Sequence, residues 1–339
     1  ITKIVEKNNT LEIGIISPPY GEISTSFLQG VNLAIRESNE NRGINDRRLK
    51  LTIFNSFHQS ISSFEADLLK NIQSNSNLIG IINGYDIHSS ILIDQVFPKT
   101  LQIVANSHYP YDERTSSNSI WLKKSNKHVL NKLLLSANKI IRNPLIITVG
   151  SNSQFDDNLL KGFESYEIIN SEMPSKENFE IIFNKYFTNK FDGILFLSLY
   201  PFYYEIIDEQ LKFQRIMAPV FVNFPLSISY KEIYYMQNDF YCTGLNEFLF
   251  DNSFSKAKNQ FVEKFKNEFF LKPSYFSALG YDAANILLNG IKKSKSINPK
   301  EIRKEIINTS FFQGATGSIS INSEGINTVN DDKVYKIKD

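Results

Sequence analysis

Short runs of aliphatic and β-branched residues alternate with longer runs of helical periodicity along nearly the whole chain, and this restricts the fold more than any other feature. "LEIGIIS" (11–17) reads as a strand, and between Ser24 and Asn39 the residues Phe27, Val31, Ala34 and Ile35 recur at helical spacing. "LKLTIF" (49–54), "LIGII" (78–82) and "LQIVA" (101–105) continue as strands, with helices expected over 61–74 and 89–97. A second series has strands at "SIWLK" (119–123), "LIITVG" (145–150), "YEIIN" (166–170), "DGILFLSL" (192–199) and "PVFVNF" (219–224). Helices over 126–141, 157–164, 177–188 and 203–214 separate them. After "FYCTGL" (240–245) come three helices, over 255–270, 275–293 and 299–308, and a hairpin from "GSISI" to "KVYKI" is expected to close the chain. Such alternation builds parallel sheets flanked by helices, an α/β fold.

At 339 residues the chain exceeds what one core usually supports, about 250–300 residues, so two lobes are expected. The last three helices are too many for the second sheet, and the simplest packing returns them to the first lobe. The chain then crosses between lobes more than once, which makes a hinge with a cleft.

Composition narrows function mostly by exclusion. The balance of 37 basic and 36 acidic residues, net +1, offers no general attraction for nucleic acid or anionic membranes. A single cysteine, Cys242, rules out an intramolecular disulfide and a cysteine-based metal cluster. No apolar run approaches the roughly 20 residues of a membrane span. The chain opens "ITKIVEKNNT" without an initiator Met, so removal of a signal peptide or lipoprotein anchor is expected.

Catalytic signatures are missing: no G-x-S-x-G elbow, Walker loop, H-E-x-x-H or G-x-G-x-x-G after the first strand. His58, His88, His108 and His128 are scattered, none at the i, i+4 spacing that suits a metal on a helix. The pairs Asp156–Asp157 and Asp331–Asp332 read as turn or helix-start acids. No cofactor is implied. "IINGYDIHSS" (81–90) sets Tyr85, Asp86, His88, Ser89 and Ser90 between a buried strand and a helix. A catalytic group, an ordinary cap and a cradle for a small ligand are the candidates. Asp86 and His88 can be drawn as an acid/base pair, but no nucleophile accompanies them, and an enzyme is not expected.

Several stretches together resemble one family. The first strand followed by "SPPYGEISTSFLQGVNLAIRESNENRGINDRRLKL" is similar to the opening of type I periplasmic binding proteins of the leucine/isoleucine/valine-binding group. Gly30, Leu33, Ala34 and Asn39 fit the family's "G-x-x-L-A-x-x-x-x-N", and "RGINDRRL" (42–49) fits "GGINGRxL", with Asp46 where glycine is usual. "FVEKFKNEFFLKPSYFSALGYDAANILLNGIKKS" (261–294) resembles the family's later helix pair, and "FFQGATGSISINSEGI" (311–326) its "F-x-G-x-T-G-x-I" hairpin.

The resemblance implies two Rossmann-like lobes joined by a three-strand hinge, closing on a ligand in Venus-flytrap fashion. Lobe 1 would hold 1–121 plus 247–315, and lobe 2 would hold 122–246 plus 316–339. Ligands of open α/β sheets bind beyond the carboxyl ends of the strands, and "IINGYDIHSS" is such an end. There Ser89 or Ser90 would start a helix whose free N–H groups face an anion, with plain capping as the coexisting alternative. By position, Tyr85, Ser107, His108 and Tyr109 would complete the site from lobe 1, with Tyr20 as a wall. Phe155, Tyr200 and Phe224 would face the ligand from lobe 2. Family members that bind amino acids often carry an acid where Asn223, Phe224 and Pro225 stand here. A buried ammonium without a carboxylate is costly, so Asp86 or Glu205 replaces that acid or the ligand lacks an α-ammonium.

The resemblance implies an extracytoplasmic solute-binding protein that hands an amino acid or related carboxylate or amide to an ABC transporter permease. A ligand-sensing receptor ectodomain of the same fold is the main alternative. A DNA-binding regulator would need a helix-turn-helix before residue 10 and a basic surface, and the sequence shows neither.

Overall fold

The computed structural model describes residues 10–18, 21–54, 61–75, 78–85, 87–109, 118–149, 157–171, 176–186, 190–198, 204–223, 238–243, 255–309, 311–329 and 334–336. Along the chain, β1 (Thr10–Ile16) leads through α1 (Gly21–Glu40) to β2 (Arg48–Phe54) and through α2 (Ile61–Ser74) to β3 (Leu78–Asn83). Next come α3 (Ile87–Val96), β4 (Gln102–Tyr109) and β5 (Ser119–Ser125). The second series is α4 (Asn126–Ala137), β6 (Pro144–Val149), α5 (Asp157–Leu160), β7 (Glu167–Ser171), α6 (Lys176–Tyr186), β8 (Gly193–Ser198), α7 (Tyr204–Phe213), β9 (Val220–Val222) and β10 (Phe240–Thr243). Three helices follow, α8 (Lys256–Phe269), α9 (Tyr275–Ser294) and α10 (Pro299–Asn308), then β11 (Phe312–Gly314), β12 (Gly317–Ile319) and β13 (Val334–Lys336).

These elements form two compact units, one of residues 1–124 and 252–329, the other of 125–251 and 330–339. The first unit's sheet has the order β2-β1-β3-β4-β5, with β2, β1, β3 and β4 mutually parallel. In the second unit the order is β13-β10-β9-β8-β6-β7, all parallel except the antiparallel edge strand β13.

The first unit is organised around α9, whose fourteen buried residues run along most of its length. Ser274 caps it, accepting from the Ser277 N–H at 3.2 Å. Helix α1 lies so close to α9 that a Cβ on Gly30 would overlap the Ser277 carbonyl, and one on Gly280 the Phe27 carbonyl. A long-range bond adds to this contact: the Tyr281 hydroxyl donates to Glu37 Oε2 at 2.8 Å, across 244 residues of sequence.

The residues that carried the resemblance fix backbone here. Asn39 brackets Leu49, donating to its carbonyl at 3.0 Å and accepting from its N–H at 2.8 Å, and so joins α1 to β2. Asn45 and Asp46 both take left-handed backbone angles (φ 52° and 59°) in a tight turn closed by paired bonds between Ile44 and Arg47. This is the type I′ geometry that favours glycine second, so Asp46 occupies a position where glycine is easier. Buried Asp282 accepts from Ala315 N–H (2.7 Å), Thr316 N–H (2.7 Å) and Thr316 Oγ1–H (2.6 Å), clamping the turn between β11 and β12.

That clamp corrects the expected terminal hairpin. "GSISI" pairs with β11, while "KVYKI" supplies β13 to the second unit's sheet. Residues 316–329 accordingly stay with the first unit and not the second, past the expected boundary at 315. Gly325 and Asn327 hold them there: the Gly325 carbonyl accepts from Trp121 N–H at 2.7 Å, and Asn327 N–H donates to the Trp121 carbonyl at 2.9 Å.

The second unit's sheet is buried on both faces, as a parallel sheet requires. On β8, Ile194 and Phe196 enter one core with Phe179, Phe183, Ile207 and Leu211, while Leu195 and Leu197 enter the other with Leu130, Leu133, Ile146 and Phe221.

Candidate functional site

In the first sheet the chain moves outward from β1 to β2, then returns to the other side of β1 with β3. The strand order therefore reverses between β1 and β3, and parallel α/β sheets take ligands beyond the carboxyl ends of the strands at such a reversal. Asn83, the last residue of β3, pairs in register with Ile16, the last of β1, and the Gly84 N–H donates to the Ile16 carbonyl at 2.8 Å. A Cβ at Gly84 would stand 2.6 Å from the Phe27 ring, so the strand leaves the sheet under α1 only by way of glycine.

Asn83 organises the end of β3. Its side chain is 1% exposed, and its Oδ1 accepts from the Tyr85 N–H at 3.0 Å, turning the chain at once. Its Nδ2 donates to Ser90 Oγ at 3.0 Å and Ser89 Oγ at 3.2 Å. Helix α3 consequently begins at Ile87, so Ser89 and Ser90 are its third and fourth residues and do not start it. Both lie inside the helix with buried side chains, and the chain has already turned at Tyr85, where the N–H donates to Asn83 Oδ1. Tyr85 is half-buried and packs on the core of Ile16, Phe54, Leu68, Ile72, Ile81 and Ile93.

A second row of polar groups links α3 to β4 and β5. Gln102 Nε2 donates to the Ser90 carbonyl at 2.8 Å and to Asp94 Oδ1 at 2.6 Å, and Ser119 Oγ also donates to Asp94 Oδ1. Gln102, Asp94 and Ser119 are all buried, and bonds of this kind hold a polar end in one arrangement.

β4 extends farther than its apolar run suggested. Asn83 lies opposite Val104, and β4 continues to Tyr109, so Ser107, His108 and Tyr109 are its last three residues and remain in the strand. Just before them Asn106, 8% exposed, accepts a bond from Lys123 Nζ of β5 at 3.0 Å. The half-buried Lys123 also places its ammonium 5.9 Å from the centroid of the Tyr275 ring, the first residue of α9. Burial pulls the Lys123 ammonium down to about 7.

Of the ten expected site residues, Tyr85, Ser89 and Ser90 gather at the end of β3, and Ser107, His108 and Tyr109 end the neighbouring strand. Tyr20, Phe155, Tyr200 and Phe224 lie outside the described residues, as does Asp86. Glu205 is the second residue of α7, and Asn223, after β9, is buried. Sequence reasoning missed Asn83, Asn106 and Lys123. The first two had a readable signal: an asparagine closing an apolar run, in "LIGIIN" and "LQIVAN". Among the described residues no three His, Cys, Asp or Glu side chains gather to hold a metal ion, and no helix is long and apolar enough to cross a membrane.

Whole-chain comparison extends this. No family model matches the sequence, and no curated protein matches it either. Solved structures do match. A leucine binding protein, LivK, from Thermotoga maritima superposes with a TM-score of 0.76 at 18% identity, covering 96% of this chain and 97% of that one. A type 1 periplasmic binding protein from Bordetella pertussis gives 0.74 at 16% identity, covering 96% and 99%. The fold is that of the type I periplasmic binding proteins. Within this fold, a solute binding protein of an ABC transporter from R. palustris, solved with benzoate, gives 0.73 at 12% identity over 97% and 96%. The likeness thus extends over both units.

Proposed function

We propose that the protein is an extracytoplasmic solute-binding protein that captures a small polar ligand and delivers it to an ABC transporter permease. The match of both units, over at least 96% of the chain, to LivK and to the benzoate-bound solute binding protein carries this reading. The reading is reversible capture without chemistry on the ligand. Ser89, Ser90, Ser107, His108, Tyr109 and Tyr85 are the proposed contacts from the first unit, with Tyr20, Phe155, Tyr200 and Phe224 as aromatic walls. Buried Asn223 stands where amino-acid binders often have an acid, which favours a ligand without an α-ammonium: a carboxylate, an amide or an aromatic acid.

A thermal-shift screen over amino acids, short carboxylates, their amides and aromatic acids tests this. A ligand at about 100 times its Kd stabilises the folded state by about 2.7 kcal/mol. For units of this size that raises Tm by roughly 5 °C or more. If no compound moves Tm at millimolar concentration, the solute-binding reading falls.

A further inference from the structure

Lys123 has unusual surroundings for a lysine. Its Nζ donates to the neutral Asn106 amide and faces the Tyr275 ring, and no carboxylate pairs with it among the described residues. Two other lysines donate to a neutral group, Lys161 to Asn158 Oδ1 and Lys293 to Thr309 Oγ1, but both of those bonds are exposed, whereas that of Lys123 is partly buried. The neighbouring helix cannot supply the missing negative charge: Tyr275 opens the twenty-residue α9, and a helix N-terminus carries partial positive charge. Desolvating an ammonium beside neutral partners costs free energy that an anion would return. An ammonium has three donors, and the Asn106 bond uses one. The lysine is also near the candidate site, since Asn106 directly precedes Ser107, His108 and Tyr109 on β4.

Resting on the solute-binding reading, we propose that Lys123 is the cationic anchor of the first unit, its Nζ donating to a carboxylate of the bound solute while Asn106 and Tyr275 hold the ammonium in place. The ligand class is thereby narrowed to carboxylates. Neutral amides and compounds whose only charge is an amine are excluded. Asn106 is a positioning residue, since its contact is with the lysine.

The test uses acetate, succinate, benzoate and L-leucine, each beside its primary amide, with inorganic phosphate as a further arm. Affinities are measured calorimetrically for the wild type, Lys123→Met and Lys123→Arg. At least one carboxylate is expected to bind, its amide to bind about tenfold more weakly or worse, and Lys123→Met to lose about tenfold or more for the carboxylate alone. Lys123→Arg should restore most of that loss. Lys123→Met removes a desolvated charge, so its Tm should equal or exceed the wild type's, separating lost binding from lost fold. If Lys123→Met binds the carboxylate as well as the wild type, or if only amides or phosphate bind, this inference is overturned while solute binding stands. If none of these probes, nor any compound of the wider screen, binds the wild type, both readings fall together.

Discussion

The two units use one topology and fill it differently. Each sheet reverses its strand order after two strands, between β1 and β3 in the first unit and between β6 and β8 in the second. The first unit reaches density by close approach, with α1 and α9 in backbone contact at Gly30 and Gly280. The second is packed with rings: Phe179 lies 6.1 Å from Phe183 and 5.6 Å from Phe196, centroid to centroid. Close helix contact tolerates no added atom, whereas ring packing suffers most from atoms removed. Rings pack in the first unit too, Phe261 lying 4.8 Å from Tyr281 and 5.5 Å from Phe265, so what sets that unit apart is the backbone contact of its helix pair.

Trp121, the only tryptophan in the chain, is buried in the first unit, so its fluorescence follows that unit while circular dichroism follows both. The largest expected effect is Phe196→Ala, which should cost about 3–5 kcal/mol by emptying the second core. It should shift the dichroism transition in urea; a fluorescence midpoint that moves just as far would break the separation of the two units. Gly30→Ala should cost about 3 kcal/mol in the first unit, since the new methyl meets backbone that cannot turn aside. There the fluorescence midpoint should move, and an unchanged midpoint would show that the helix pair yields easily.

Smallest is Asp282→Asn, expected to cost about 1–3 kcal/mol because an amide cannot accept all three bonds of the clamp. Burial holds the Asp282 carboxyl up to about 6, above its ordinary 3.8, despite three hydrogen-bond donors. A raised acid binds its proton more tightly in the folded state, so its contribution to stability is full below about pH 4 and declines as pH rises through about 6. The wild-type advantage over Asp282→Asn, followed by fluorescence in urea, should shrink across that window. A constant difference from pH 4 to 7 would remove the assignment.

The fold was legible because its signals concern backbone. Asn39 bracketing Leu49, the Asn45–Asp46 turn and the Asp282 clamp are local geometries that few residue types satisfy, and they recur as motifs. The "KVYKI" strand was misassigned because three residues of β-type sequence do not name their partner, and β10 is nearly a hundred residues away. Helix α3 was started late because a serine reads as a cap, whereas a buried asparagine in the preceding strand had already turned the chain. Lys123 was illegible for a different reason. A lysine near the end of a strand looks like any exposed lysine until its neighbours prove to be an amide and a ring.

The bond between Tyr281 and Glu37 also has a consequence in time. A ribosome adding about 5–20 residues per second needs roughly 12–50 s to pass from one partner to the other. Through that interval α1, with Phe27 and Val31 destined for burial, waits for a helix not yet made. The second unit, complete but for its edge strand by residue 251, has nearly all its parts first. The half of the molecule that begins the chain therefore receives the partner of its first helix only after most of the other half has been made.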